Sequence, residues 1–221
     1  GLLRIARTAV FAISVVLFSL LISSTAFAAG NWAFSNITES SPTMGSGFHM
    51  VAMSSDGRYM YSSSHYEGFY RSTDYGLTWT LGPSLTPQDY AGITTSSNGQ
   101  YVYMSSFSGD IWFSSDFGDS WTKRTDVPQT GYRWVPIETS SNGQTSIVGT
   151  EDQGVLISDD YGLTFSPTSL PTDEVYYGVS VSADGNFMLA AQYGGLVFTS
   201  IDGGANWVPT TLPSGGYFES S

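Results

Sequence analysis

One eight-residue pattern, S-x-D-x-G-x-[S/T]-aromatic, is spelled four times along this chain and constrains its fold more than any other feature. It reads STDYGLTW at 72–79, SSDFGDSW at 114–121, SDDYGLTF at 158–165 and SIDGGANW at 200–207, where Asn206 takes the hydroxyl position. The aspartates are Asp74, Asp116, Asp160 and Asp202, separated by steps of 42, 44 and 42 residues. A second motif keeps the same steps. SSDG, SSNG, SSNG and SADG end at Gly57, Gly99, Gly143 and Gly185, each 17 residues before its aspartate. Two motifs locked in register over four copies define a tandem array.

Each unit contains four candidate strands. In the second copy they are YAGITTSS, QYVYMSS, IWFSS and SWTKR, with Asn98-Gly99 turning between the first two. Asn-Gly and Asp-Gly predict type I′ turns, in which both central residues take positive φ. Tyr101 and Tyr103 point to one side of the second strand while Val102 and Met104 point to the other. Such a strand is covered on both faces. Repeats of 40–45 residues with four antiparallel strands predict an all-β propeller, one blade per repeat.

The predicted propeller occupies residues 29–221, with four complete blades at about 46–82, 88–125, 132–168 and 174–211. An aromatic residue stands nine before each turn glycine: Phe48, Tyr90, Trp134 and Tyr176. Phe218 continues that series and opens a fifth blade near 216, while GNWAFSN at 30–36 is similar to ANWVPTT of the fourth unit and suits a closing strand. The expectation is a fragment of a larger ring.

Residues 1–28 read as a secretory signal peptide: Arg4 and Arg7, an apolar run over 9–22, then Ala26-Phe27-Ala28 before the cleavage point. The expected localisation is secreted or periplasmic, with no membrane span after cleavage; an uncleaved anchor is the alternative. Without that segment five basic residues face 19 acidic ones, a net charge of −14. Phosphate backbones are bound through Lys and Arg clusters, so nucleic acid is not an expected partner. The chain has no cysteine, which excludes disulfides and thiolate metal sites. His49 and His65 have no metal-ligand spacing, and neither a metal nor a cofactor is expected.

The repeated motif resembles the Asp-box, or BNR repeat, of sialidases, sortilin-type receptors, xyloglucan-degrading glycosidases and photosystem II assembly factors. The resemblance covers residues 30–221. It implies a propeller and, as in the sialidases, boxes that sit away from the active site. The residues agree with a folding role. Asp74, Asp116, Asp160 and Asp202 suit strand corners, where a carboxylate accepts backbone N–H groups, and Trp79, Trp121, Phe165 and Trp207 suit burial at the root of the last strand.

A site is then expected at the opposite end, on the loops between second and third strands and on the linkers between units, because variable loops carry function on a repeated frame. The candidate ligand-binding residues are Tyr66, Glu67, Phe107, Asp110, Glu151, Asp152, Tyr193 and Arg133. Exposed aromatics and carboxylates together suit sugars, through ring stacking and hydroxyl bonding. Glu138 is a lone carboxylate where the other units have Ala52, Thr94 and Ser180. With Glu151 and Asp110 it is a candidate for catalysis. A sialidase needs three arginines on the substrate carboxylate; after residue 28 the arginines are Arg58, Arg71, Arg124 and Arg133, of which Arg58 follows the Asp-Gly turn at the wrong end and Arg71 immediately precedes an aspartate motif. A xyloglucanase-type acid pair needs two carboxyls about 5 to 10 Å apart. The leading expectation is a non-catalytic binding module whose partner is a glycan or a protein surface. The alternatives are a glycoside hydrolase and a protein like the photosystem II assembly factors. Oligomeric state is not fixed by these residues.

Overall fold

The computed structural model describes residues 48–64, 68–85, 90–124, 127 and 135–210. The expected signal peptide, the segment 30–36, Tyr66, Glu67, Arg133, Trp134 and the start of a fifth blade lie outside the described residues.

The described residues form sixteen strands in four sheets and no helix. The first sheet holds β1 (Phe48–Met53), β2 (Met60–Ser64), β3 (Gly68–Ser72) and β4 (Thr80–Leu81). The second holds β5 (Tyr90–Thr95), β6 (Val102–Ser106), β7 (Ile111–Ser114) and β8 (Thr122–Arg124). The third holds β9 (Ile137–Thr139), β10 (Ser146–Gly149), β11 (Val155–Ser158) and β12 (Ser166–Pro167). The fourth holds β13 (Tyr176–Val181), β14 (Met188–Gln192), β15 (Val197–Ser200) and β16 (Val208–Pro209). Within each sheet the strands follow chain order and every pair is antiparallel. These are propeller blades, and the fold is all-β.

Consecutive blades pack face to face around apolar clusters. Tyr61, Phe69, Tyr90, Ile93 and Met104 fill the seam between blades one and two. Tyr103, Ile111, Ile137 and Val148 fill the next, and Ile147, Val155, Tyr176 and Met188 the last. Each large side chain buried in this way contributes about 1.5–3 kcal/mol relative to leaving it in water. The alternation along β6 is as the sequence demands: Tyr103 joins the forward seam while Val102 and Met104 join the backward one. Tyr90 and Tyr176 are buried at the seams. Gly149 lets the backbone of the next blade come close, since a Cβ there would lie 2.7 Å from the Tyr176 carbonyl.

Polar bonds tie the same seams. Tyr61 Oη donates to the Gly99 carbonyl at 2.8 Å and Tyr103 Oη to the Gly143 carbonyl at 2.7 Å. A backbone ladder runs across the first-to-second-strand turns: Ser55 N–H to Ser97 C=O, Ser97 N–H to Ser141 C=O, and Ser141 N–H to Ala183 C=O.

Those turns differ from the expected type I′. Only the glycines Gly57, Gly99, Gly143 and Gly185 take positive φ, and Asn98 does not. The reason is the preceding side chain. Asn98 Oδ1 accepts the Gln100 N–H and the Ser96 hydroxyl, which holds a wider turn closed by Ser96 N–H to the Tyr101 carbonyl. Asp56, Asn142 and Asp184 repeat the arrangement.

Candidate functional site

The four aspartate turns have one geometry. In the second, Asp116 Oδ1 accepts the Ser120 N–H at 2.8 Å and the Ser114 hydroxyl at 2.8 Å, while Oδ2 accepts the Ser120 hydroxyl at 2.6 Å. Ser114 Oγ in turn accepts the Gly118 N–H. Asp74, Asp160 and Asp202 make the same set, with Thr78, Thr164 and Asn206 in the place of Ser120. The backbone donor lies four residues on, a longer reach than the adjacent donors expected from an Asx-turn. The reach requires left-handed backbone between: Tyr75, Phe117 and Tyr161 have φ of 64°, 61° and 62°, beside positive-φ glycines. Every carboxylate oxygen is thus committed to its own corner. The aromatics are half-buried, and Trp121 and Trp207 return their indole N–H to Gly118 and Gly204.

The same bonds hold these carboxyls below their ordinary range. At Asp74 the Thr78 hydroxyl is the main cause, and at Asp202 the Asn206 amide. At Asp116 and Asp160 desolvation pushes upward, but the hydroxyl and amide of Ser120 or Thr164 outweigh it.

Both turn types lie at one end of each blade, since Phe117 N–H donates to the Gln100 carbonyl and Tyr161 N–H to the Gln144 carbonyl. The opposite end carries the variable loops. There Tyr176 N–H donates to the Thr150 carbonyl at 3.1 Å, and Tyr193 N–H donates to the Val175 carbonyl at 2.8 Å. The linker at 175–176 therefore ties the loop bearing Glu151 and Asp152 to the loop bearing Tyr193. Tyr193 is 59% exposed and meets Tyr177 edge-to-face at 5.0 Å between ring centroids. Asp152 is exposed and Glu151 half-buried. Tyr177 was not among the expected site residues. Its signal was weak, because its neighbour Tyr176 carries the repeat position.

Asp110 and Phe107 sit elsewhere, on the loop of the second blade. Asp110 is only 2% exposed, a departure from the loop exposure expected of a ligand residue. Its Oδ2 meets Lys123 Nζ at 2.7 Å, and Lys123 lies 5.9 Å from the Trp112 ring centroid. The Asp110 Oδ1 and Trp112 Nε1 are buried without a hydrogen-bond partner. Phe107 is half-buried.

Glu138 stands on β9, opposite Ile147 of β10. Thr94 Oγ1 of the neighbouring blade donates to its Oε2 at 3.4 Å. Desolvation raises its pKa, opposed by that hydroxyl and by the Thr139 amide. The first strands of all four blades meet around a cavity of about 270 Å³ lined by Met53, Thr95, Thr139 and Val181. Among the described residues no group of three or more His, Asp or Glu side chains could hold a metal ion, and no helix is long and apolar enough to cross a membrane.

No family model matches the sequence, and no curated protein sequence matches it. Solved structures do match in shape. The Niastella koreensis GH74 enzyme superposes with a TM-score of 0.62 at 21% identity, covering 76% of this chain and 24% of that one. The GH74 xyloglucanase from Xanthomonas campestris superposes with a TM-score of 0.64 at 15% identity, covering 77% and 31%. U3-55K superposes with a TM-score of 0.60 at 12% identity, covering 76% and 53%. This chain spans 24% and 31% of the two GH74 structures. At such identity the likeness speaks of fold, and with the four sheets described above it establishes an all-β chain of propeller blades.

Proposed function

We propose that this chain is an exported propeller of the Asp-box class that binds a glycan without turning it over. The observation that supports this most is the joined loop pair of the third and fourth blades. Exposed Tyr193, backed by half-buried Tyr177, offers an aromatic edge, and the linker that positions them also bonds the loop of Glu151 and Asp152. Rings stack on the apolar faces of sugars, and carboxylates accept their hydroxyl hydrogens. The aspartates of the repeated corners supply nothing to such a site, because their oxygens are already bonded. Asp110, expected as a binding or catalytic acid, is occupied by Lys123.

A glycoside hydrolase is the second reading, favoured by the likeness to GH74 propellers. It would draw its acids from Glu151, Asp152 and Glu138. One experiment separates the two. The full chain is screened against a glycan array and incubated with xyloglucan oligosaccharides and a chromogenic sialoside. Binding without product, lost about tenfold in Tyr193→Ala, supports the binding module, since one aromatic anchor contributes on the order of 1–2 kcal/mol. Product release that disappears in Glu151→Gln moves the assignment to the hydrolase. Absence of both leaves a protein surface as the partner to seek.

A further inference from the structure

Among the described residues, three buried polar atoms that make no hydrogen bond face one seam, the one between blades one and two. They are Ser63 Oγ, Asp110 Oδ1 and Trp112 Nε1. Ser63 lies two residues beyond Tyr61 on β2, so it shares the face that Tyr61 turns toward Gly99 of blade two. From the other side, Trp112 of β7 packs against the cluster of Tyr61, Phe69 and Tyr90. Asp110 stands two residues before Trp112, and Lys123 joins them. Its Nζ meets Asp110 Oδ2 at 2.7 Å and lies 5.9 Å from the Trp112 ring centroid. Ser63 is fully buried and Asp110 is 2% exposed.

The equivalent places in the other two seams are filled differently. In the second seam Ser105 replaces Ser63, and its hydroxyl donates to the Val135 carbonyl at 2.6 Å. Gly154 and Leu156 stand where Asp110 and Trp112 would be, and a Cβ on Gly154 would lie 2.9 Å from the Pro171 carbonyl. In the third seam the three places hold Gly149, Leu196 and Phe198. Only the first seam brings a hydroxyl, a carboxylate and an indole together there. A buried polar group without a partner costs stability, and native structures satisfy such groups with an ordered guest.

The three groups select the guest by their chemistry. An indole N–H only donates, a carboxylate only accepts, and a serine hydroxyl does either. A cation would oppose the Trp112 N–H, an anion would oppose Asp110, and an apolar guest would leave all three groups unsatisfied. A hydroxyl oxygen has one hydrogen to give and two lone pairs to receive. We propose that this seam binds one hydroxyl group, which accepts from Trp112 Nε1 and Ser63 Oγ and donates to Asp110 Oδ1. It joins β2 of blade one to β7 of blade two. Its three bonds are the usual complement of a buried water, about three. The hydroxyl is carried by water or by a sugar. Lys123, with a side chain 37% exposed, forms the outer rim and is the group that a sugar must displace. The site is separate from Tyr193 and Tyr177 and does not rest on their binding a glycan.

The test is nuclear magnetic resonance on the full chain labelled with 15N-tryptophan. The Trp112 indole signal is the one lost in Trp112→Phe; should that variant not fold, it is the one moved most by Lys123→Gln, which removes the cation beside this ring. The expected result is cross-relaxation between the Trp112 indole proton and a long-lived hydroxyl. Ser63→Ala, on the neighbouring blade, should shift the Trp112 signal and weaken that cross-peak while circular dichroism stays unchanged. Titration with glycerol and with methyl β-glucoside identifies the source. A saturable shift that removes the water cross-peak assigns the hydroxyl to a sugar, and a cross-peak indifferent to both probes assigns it to water. Either result supports the site. An equal shift with 1,2-dimethoxyethane, which accepts but cannot donate, would overturn it, because Asp110 would then take no part. A Trp112 indole that cross-relaxes only with side chains of its own chain, or that ignores Ser63→Ala, would overturn it as well.

Discussion

The phenol of Tyr103 on β6 donates a 2.7 Å hydrogen bond to the carbonyl of Gly143, the turn glycine of the next blade. Tyr103 is fully buried, and burial pushes its pKa up to about 12, so it remains a donor at any ordinary pH. Tyr103→Phe keeps the ring in its seam and orphans the carbonyl. An orphaned buried acceptor costs roughly 1–3 kcal/mol. The urea midpoint should fall with an unchanged slope. A slope that changes would mean that blades two and three separate before the rest unfolds.

Gly143 itself carries two constraints that can be separated. Its φ is +77°, and a Cβ would sit 2.6 Å from the Tyr101 ring. Gly194 shares the constraint on φ, at +65°, with nothing within 4 Å of a Cβ. Gly194→Ala therefore reports backbone strain alone, about 1 kcal/mol. Gly143→Ala should cost a further 1–3 kcal/mol or so, as overpacking does in a filled seam. Equal thermal shifts for the two variants would show that Tyr101 yields freely.

The pattern of strands and corners was legible because it is local and repeated: each motif fixes its own turn, and the four copies check one another. The type I′ expectation failed for a reason that is also local. Side-chain acceptance by Asn98 competes with the positive φ that Asn-Gly otherwise favours. The candidate site was less legible, since it depends on which loops the blades bring together. Asp110 looked like a loop carboxylate. Its burial depends on Lys123, a residue of β8 that only strand pairing opposite Trp112 brings to it. Tyr177 became visible as a partner of Tyr193 only once β13 and the loop after β14 were placed side by side.

The Asp110–Lys123 pair predicts a non-additive response. The Asp110 side chain is 2% exposed and that of Lys123 37%, so solvent reaches one partner and not the other. Lys123→Met leaves a buried carboxylate without its cation and should cost about 2–4 kcal/mol, somewhat under the loss from a fully buried pair. Adding Asp110→Asn to Lys123→Met should recover part of that loss. A double-mutant cycle in urea measures the coupling, and additive losses would show that the pair contributes no mutual stabilisation.

The carboxylates at the turns make a directional claim about acid. Asp184 is lowered to about 2 by the Ser182 hydroxyl first and then by the Asn186 amide groups, and Asp56, Asp74, Asp116, Asp160 and Asp202 are lowered as well. A lowered folded-state pKa contributes stability that is complete above the ordinary value of 3.8 and is lost as pH falls through the folded value. Stability should therefore drop between about pH 4 and pH 2. Asp184→Asn, which copies the natural Asn98 and Asn142, should lag wild type at neutral pH and close the gap toward pH 2. A gap that does not depend on pH would show that Asp184 is not held by these bonds.

Glu138 carries the opposite sign. Desolvation raises its pKa above the ordinary 4.5, so the fold disfavours its charged form. The contribution of such a group is most favourable below 4.5 and is lost as pH rises through the raised value. Glu138→Gln removes that penalty and retains an acceptor for the Thr94 hydroxyl. Because the side chain is exposed, solvent screens that penalty, and the variant should melt only slightly higher than wild type at pH 7 and at the same temperature near pH 4. A thermal series over that interval reads the difference directly. Loss of stability at pH 7 would mean that the Glu138 charge is itself used, by a cation or by a donor from a bound ligand.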